Sequence, residues 1–284
     1  MCNNFVKIFS IIFLLSLVCG CTETSDPSSV LDYVDPHIGG VGHLLQPTRP
    51  NVQLPNQVIR MHPVRSDYLD DQISFFPLTM SSHRQFPLFG LLPGTGDPSE
   101  LTWNERQTYD HDLEKVTPFY YSAFLIDESI TVEFMPGSKT GYFRIRYPKL
   151  KKKRIKLDII NEGIWETDSM SVITGTEIFS VMKAYVYGIL NENIKELKIE
   201  NDTLSGINKP ALWLCFDEND SEVIDFKYAV SFISIEQAKK NLEKEIPEWN
   251  FNGLKENGEK IWLQHLNRIE VKGGTESQKR SFYT

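Results

Sequence analysis

At Ser234 the spacing of apolar residues changes, and this change constrains the fold more than any other feature of the chain. Before it the period is two. Ile130, Val132 and Phe134 alternate with Thr131 and Glu133, and beyond Pro136-Gly137-Ser138-Lys139-Thr140-Gly141 the residues Phe143, Ile145 and Tyr147 alternate with Arg144 and Arg146. Successive side chains of a strand point to opposite faces, so this stretch predicts a β-hairpin with one apolar face. Ile155, Leu157 and Ile159 predict another strand, as do residues 184–187, residues 212–216, and the series Phe226, Tyr228, Val230, Phe232. Many strands without long helical patterns between them predict an antiparallel sandwich and exclude a parallel α/β sheet. Residues 39–100 carry many Pro, Gly and His and little periodicity, which predicts long loops with short strands.

Beyond Ser234 the period is helical. Ser234 and Gln237 have capping-box spacing, and Ile235, Ala238, Leu242 and Ile246 share one helical face up to Pro247. Glu248-Trp249-Asn250-Phe251 leads into a second helix over about 253–269, with Leu254, Ile261, His265 or Leu266, and Ile269 facing inward. Gly273-Gly274 is a turn signal, and Thr275 with Gln278 caps a third helix on the last residues. So short a helix is marginal unless it packs on something.

A net charge of −8 argues against sequence-independent nucleic-acid binding. The one dense basic block, Lys151-Lys152-Lys153-Arg154, reads as a solvated turn and strand edge. Three of the four cysteines, Cys2, Cys19 and Cys21, lie near the N-terminus, so there is no disulfide framework. The fourth, Cys215, has apolar neighbours and reads as a small core residue. The apolar run from Ile8 to Val18 is too short to span a bilayer stably. Val18-Cys19-Gly20-Cys21 behind it resembles a bacterial lipobox, with Cys21 as the lipid-bearing residue. Residues 1–21 then form a lipoprotein signal peptide and 22–30 a polar tether. The chain is expected to be exported and lipid-anchored to the bacterial outer membrane, on its periplasmic or cell-surface face.

Several segments carry a family resemblance. Ser231-Phe232-Ile233-Ser234-Ile235-Glu236-Gln237-Ala238, Asn241-Leu242, Trp249, Trp262, Arg268-Ile269-Glu270-Val271, Gly273-Gly274-Thr275 and Arg280-Ser281-Phe282-Tyr283-Thr284 resemble, in this order, glycoside hydrolase family 92. That is the family of bacterial calcium-dependent exo-acting α-mannosidases. Tyr33-Val34-Asp35-Pro36-His37-Ile38-Gly39, followed by Gly42-His43, is similar to the family's opening segment. His111 to Tyr121, with Pro118-Phe119-Tyr120-Tyr121, resembles its His-Glu…Pro-Gly-Tyr-Tyr stretch.

The resemblance implies a large antiparallel β-sandwich (31–234), a helical linker of two helices (235–270), and the first helix (271–284) of an (α/α)6 barrel. It implies inversion by a Glu general acid and an Asp general base, held far enough apart to admit a water. In the family both, and most of the calcium environment, belong to the barrel, so the exposed faces of Phe282, Tyr283 and the linker helices are expected to lack their packing partner. No catalytic residue and no calcium ligand is therefore assigned to this chain, although calcium is expected for the complete enzyme. The barrel has two candidate sources: a separate chain, or a reading frame of which this one is a truncated part. The sequence also departs from the family. Asp67-Tyr68-Leu69-Asp70-Asp71-Gln72-Ile73 and then Ser81-Ser82-His83 stand where many members have a Trp-containing stretch followed by Gly-Tyr and Phe-Ser-His segments; the Trp is missing, and Phe119 stands where Gly is usual. Linkage preference is not fixed by this sequence.

Five residues are candidates for glycan contact: His43, Asp70, Asp71, His83 and His111. His43 follows Gly39-Gly40-Val41-Gly42, where glycines let backbone approach a ligand, or it is a structural loop histidine. Asp70 and Asp71 sit beside Tyr68 and Phe75-Phe76, which suits sugar hydroxyls and C–H faces; the alternative is a solvated loop. His83 resembles the family's Ser-His position, with the same solvated-loop alternative. Asp110-His111-Asp112 reads as a polar lead-in to a strand rather than a metal site. Three functions remain: the glycan-facing N-terminal part of an α-mannosidase acting on mannose-containing glycans, a stand-alone carbohydrate-binding lipoprotein, or a structural role. The two linker helices favour the first.

Overall fold

The computed structural model describes residues 29–41, 48–81, 86–97, 106–167, 169–201 and 209–284. The predicted signal peptide, Cys21 and most of the tether lie outside them. Early in the chain come short strands β1 (Val52–Gln53), β2 (Arg60–Met61) and β3 (Gln72–Ile73), then β4 (Phe76–Ser81), β5 (Phe86–Thr95) and β6 (Gln107–Thr108). A continuous antiparallel series follows, β7 (Lys115–Thr117), β8 (Tyr120–Leu125), β9 (Ile130–Pro136) and β10 (Thr140–Arg146), and then β11 (Lys153–Asp158), which joins the other sheet. The last strands are β12 (Glu162–Thr167), β13 (Val172–Phe179), β14 (Met182–Leu190), β15 (Glu196–Asn201), β16 (Pro210–Phe216) and β17 (Val223–Ser231). Helices α1 (Ile235–Glu245), α2 (Phe251–Leu266) and α3 (Glu276–Tyr283) end the chain.

Two sheets make the sandwich. One has eight strands in the order β12-β13-β14-β17-β10-β9-β8-β7, the other five in the order β15-β16-β11-β5-β4. The predicted hairpin is β9 and β10, with Phe143 opposite Phe134 and Ile145 opposite Val132. These residues face the second sheet in one apolar core with Leu78, Leu91, Leu157, Leu214 and Phe226. The outer face of the larger sheet is covered as well. Tyr142, Ala229, Tyr187 and Met135 pack there against Ala238, Leu242 and Ile246 of the first helical stretch and Phe251 of α2. Burial on both faces explains why β17 is buried from Ile224 to Ser231 despite its Asp and Lys.

The polar residues of that outer face dock the helices. Arg144 Nε and Nη2 reach Asp225 Oδ1 and Oδ2 at 2.8 Å each, and Tyr142 donates to Asp225 Oδ2 at 2.9 Å. The Arg144 guanidinium lies 4.3 Å from the Phe251 ring centroid. Lys227 Nζ donates to Ile246 O (2.9 Å) and Pro247 O (3.1 Å) and lies 4.6 Å from the Trp249 ring. A cation thus caps the carbonyl end of α1, where the helix dipole favours positive charge.

The structure corrects several expectations. Residues 39–100 include two full strands, β4 and β5, of the smaller sheet. They escape a periodicity reading because β4 is buried throughout and β5 carries Pro87, Gly90, Pro93 and Gly94. Both prolines are tolerated because β11 covers only 90–95 of β5 and β4 only 86–91, so each sits where one neighbour is absent. Phe89 has φ +51°, and the Leu78–Phe89 pair is lost from the ladder. The other sheet supplies replacement partners: Phe89 N donates to Glu177 Oε2 at 2.7 Å, and the Tyr228 hydroxyl to Leu78 O at 2.6 Å.

Lys153 and Arg154 are not solvated. Both are 1% exposed in β11, and Lys153 Nζ donates to the carbonyls of Asp217 (2.9 Å), Glu218 (3.1 Å) and Asp220 (3.1 Å). Cys215 is only partly buried, and burial is the main reason its thiol is pushed up to about 11. Ser234 caps α1 by accepting from Gln237 N at 3.1 Å, but the Gln237 side chain donates to Asn241. The second helix runs from Phe251 to Leu266 and not to 269; its buried residues are Phe251 and Gly258, while His265 and, beyond its end, Ile269 are exposed. The third helix has the predicted capping box at Thr275 and Gln278. Phe282 is half exposed, but Tyr283 has partners: its ring stacks on Tyr33 and its hydroxyl donates to Ile269 O.

Candidate functional site

Three segments far apart in sequence meet beside edge strand β7: residues 35–41, residues 65–72 and the turn at His111. Each is shaped by its own side chains. Asp35 Oδ1 accepts from His37 N at 3.0 Å, and Gly39 turns the chain with φ +77°. Gly40 lies so close to Tyr68 that a Cβ there would stand 3.3 Å from the Tyr68 Cβ, and Gly40 O accepts from Tyr68 N. Asp110 caps the short turn His111–Leu113 by accepting from Asp112 N at 2.9 Å.

Beneath them lies a buried ion pair. The side chains of Arg65 and Glu114 are 3% and 1% exposed, and Arg65 Nη1 stands 3.1 Å from Glu114 Oε1. Both guanidinium Nη atoms also reach Oε2 at 3.3 Å. The Tyr121 hydroxyl donates to Glu114 Oε1 at 2.8 Å, and His37 Nε2 faces Oε2 at 3.4 Å. Arg65 bonds the Tyr109 hydroxyl, which lies 3.0 Å from His111 Nδ1. Above the pair the rings meet in turn: His37 tilted 53° against Tyr68 with centroids 4.8 Å apart, and Tyr68 edge-on to His111 at 5.3 Å. Burial would raise the Glu114 carboxyl, but the His37 ring, the Arg65 charge and the Tyr121 hydroxyl outweigh it and hold it below its usual value.

Next to this cluster is a cavity of about 280 Å³ between the sandwich and the last helices, lined among others by Pro36, Arg49, Asn51, Trp262 and Tyr283. Arg49 Nη1 ties it to the 65–72 segment by donating to Arg65 O (3.1 Å) and Ser66 O (3.0 Å). Trp262 Nε1 donates to Gln53 O at 3.0 Å. Asn51 Oδ1 is buried there without a hydrogen-bond partner among the described residues.

Of the five sequence candidates, Asp71 and His111 belong to this rim, with Asp71 exposed. Asp70 is adjacent but holds its own loop. It accepts from Ser66 N (2.8 Å), Gln72 N (3.1 Å) and Arg106 Nη2 (2.6 Å). Burial opposes ionisation, yet these partners hold its carboxyl at about 2. His43 and His83 lie outside the described residues. The sequence reading missed His37, Arg49, Arg65 and Glu114. His37 and Glu114 do fall inside the segments similar to family 92, but nothing local marks Arg65 as the partner of Glu114.

The rim offers rings from Tyr68 and His111 beside the exposed Asp71, whose carbonyl accepts from Tyr109 N, a combination suited to a polyhydroxylated ligand. Asp70 and Glu114 are both driven toward the ionised form, which suits accepting hydrogen bonds and not donating a proton to a leaving group. Calcium takes roughly six to eight oxygen ligands. The carboxylates here do not fit that need, since Asp70, Asp110 and Glu114 already bind amides, Arg65 or Arg106. Among the described residues no group of three or more His, Cys, Asp and Glu converges on a metal position.

Residues 33–231 match the model of the glycosyl hydrolase family 92 N-terminal domain, and residues 237–284 match the model of that family's catalytic domain. The chain belongs to glycosyl hydrolase family 92. Its fold is similar to that of a family 92 inverting mannosidase from Bacteroides thetaiotaomicron, with a TM-score of 0.80 and 22% identity over 90% of this chain. It is also similar to a family 92 α-mannosidase from the same organism, with a TM-score of 0.76 and 23% identity over 90% of this chain. The complex of that α-mannosidase with mannoimidazole gives a TM-score of 0.77. At these identities the likeness is one of fold. The chain spans 38% of the first enzyme and 40% of the second. Comparison with curated protein sequences gives no match.

Proposed function

We propose that this chain is the carbohydrate-facing N-terminal portion of an exported α-mannosidase-like glycoside hydrolase that acts on α-mannosides of glycans. The observation that carries the reading is the order of the family matches: an N-terminal domain over 33–231, then the start of a catalytic domain over 237–284. The structural neighbours named as mannosidases, one of them bound to mannoimidazole, give the sugar class. The rim of His37, Tyr68, Asp71 and His111 beside the helix junction supplies one wall of a glycan site. The acid and base, and the calcium expected for the complete enzyme, then belong to the remainder of the helical barrel. Docking of α1 and α2 through Arg144, Asp225 and Lys227 supports this reading over a stand-alone binding module, which needs no such helices. Cys21 is the proposed lipid attachment point, and the bacterial outer membrane the proposed location.

The test is to incubate the purified 284-residue chain with α-mannosides and calcium. No mannose is expected to be released. Release would overturn the assignment of catalysis to residues outside this chain.

A further inference from the structure

The Arg65–Glu114 pair has features that packing alone does not explain. Burying an ion pair is seldom stabilising relative to apolar residues of similar volume, because desolvation offsets the attraction. Here the pair bonds outward into three loops and β8. Glu114 meets His37 from the 35–41 segment, Tyr121 from β8, and Arg65 from the 65–72 segment. Arg65 also bonds Tyr109, whose hydroxyl reaches His111, and its guanidinium carbon lies 5.4 Å from the Tyr68 ring centroid. The Arg65 carbonyl accepts from Arg49, which lines the cavity. Every rim segment is thus connected to one buried carboxylate, and the rim residues His37, Tyr68 and His111 sit at the ends of those connections.

We infer that Glu114 is a positioning residue: with Arg65 it fixes the three rim segments relative to one another and so sets the shape presented to a ligand. The role in glycan contact rests on the function proposed above. The positioning itself does not, and the two fail separately. A polar network of this type specifies one arrangement of loops, where an apolar replacement fills the same space and leaves several arrangements open.

The experiment compares amide hydrogen exchange and thermal unfolding of the full chain, Glu114→Gln, and the double variant Arg65→Met/Glu114→Leu. The double variant removes both charges, so no buried charge is left unpaired. It is expected to unfold near the temperature of the unaltered chain. Its amides in 35–41, 66–72 and 109–113 are expected to exchange about tenfold faster or more, with β5, β11 and β16 unchanged. The single variant is expected to show the same three segments loosened together. Unchanged exchange in those segments in the folded double variant would overturn the inference. So would failure of the double variant to fold, since the pair would then be a stability element, or loosening confined to one segment. Mannoside binding by the unaltered chain is read separately. Its absence would count against the glycan reading and leave the positioning result standing.

Discussion

Tyr33, in the first described turn, and Tyr283, in the last helix, stack with ring centroids 5.9 Å apart and planes 18° from parallel. The contact closes the chain on itself: Asp35 N also donates to Thr284 Oγ1 at 3.0 Å, and Tyr283 Oη accepts from Val271 N at 3.2 Å. A helix as short as α3 holds its place by such contacts, not by intrinsic propensity. Tyr283→Ala is expected to lose about 1–2 kcal/mol of local stability, from the ring pair and the hydroxyl bonds. The measurement is amide exchange and trypsin cleavage at Lys279 and Arg280. Both should accelerate in α3 while the sandwich strands stay protected.

Lys153 donates to three carbonyls from a site that is 1% exposed. Lys153→Met leaves those carbonyls without their charged donor and is expected to destabilise the chain by about 2–3 kcal/mol in urea unfolding. Lys151→Met, two residues away and exposed, is expected to stay within about 0.5 kcal/mol.

Burial between the sheets pushes the Glu177 carboxyl up to about 7, even though Phe89 N, Asn161 N and the Asn161 side chain all donate to it. A folded-state value above the unfolded one means that the folded chain binds the proton more tightly. This contribution is full below the ordinary carboxylate range and is lost as pH rises through about 7. Urea midpoints between pH 4.5 and 8 should therefore fall more steeply for the unaltered chain than for Glu177→Gln. Parallel slopes would show that this carboxyl does not govern the pH dependence.

How much of this was readable in the sequence depends on where each residue's partner lies. The β9–β10 hairpin was legible because its apolar residues alternate with Thr131, Glu133, Arg144 and Arg146 and its pairing is local. The helices after Ser234 were legible because capping and period are local as well; what was not legible was the Gln237 side chain's turn to Asn241, the helix start at Phe251, the exposure of His265 and Ile269, and the partners of Tyr283. The strands β4 and β5 were not, because full burial removes alternation and their prolines resemble loop signals. Lys153 looked solvated because its carbonyl partners lie more than sixty residues away. At the candidate site, Asp71 and His111 were named from local chemistry and resemblance, and the fold brings them near one another through Tyr109. The residues that hold the rim together, Arg65 and Glu114, could not, since an ion pair between segments 49 residues apart has no sequence signature.

The central claim, that the rim beside β7 faces a mannose-containing glycan, is tested most directly by titrating the isotopically labelled chain with an α-mannoside and following its amide resonances. The account predicts shifts confined to residues 35–41, 67–72 and 109–112 and to the cavity lined by Arg49 and Trp262. No shift at millimolar sugar, or shifts on the opposite side of the sandwich, would contradict it.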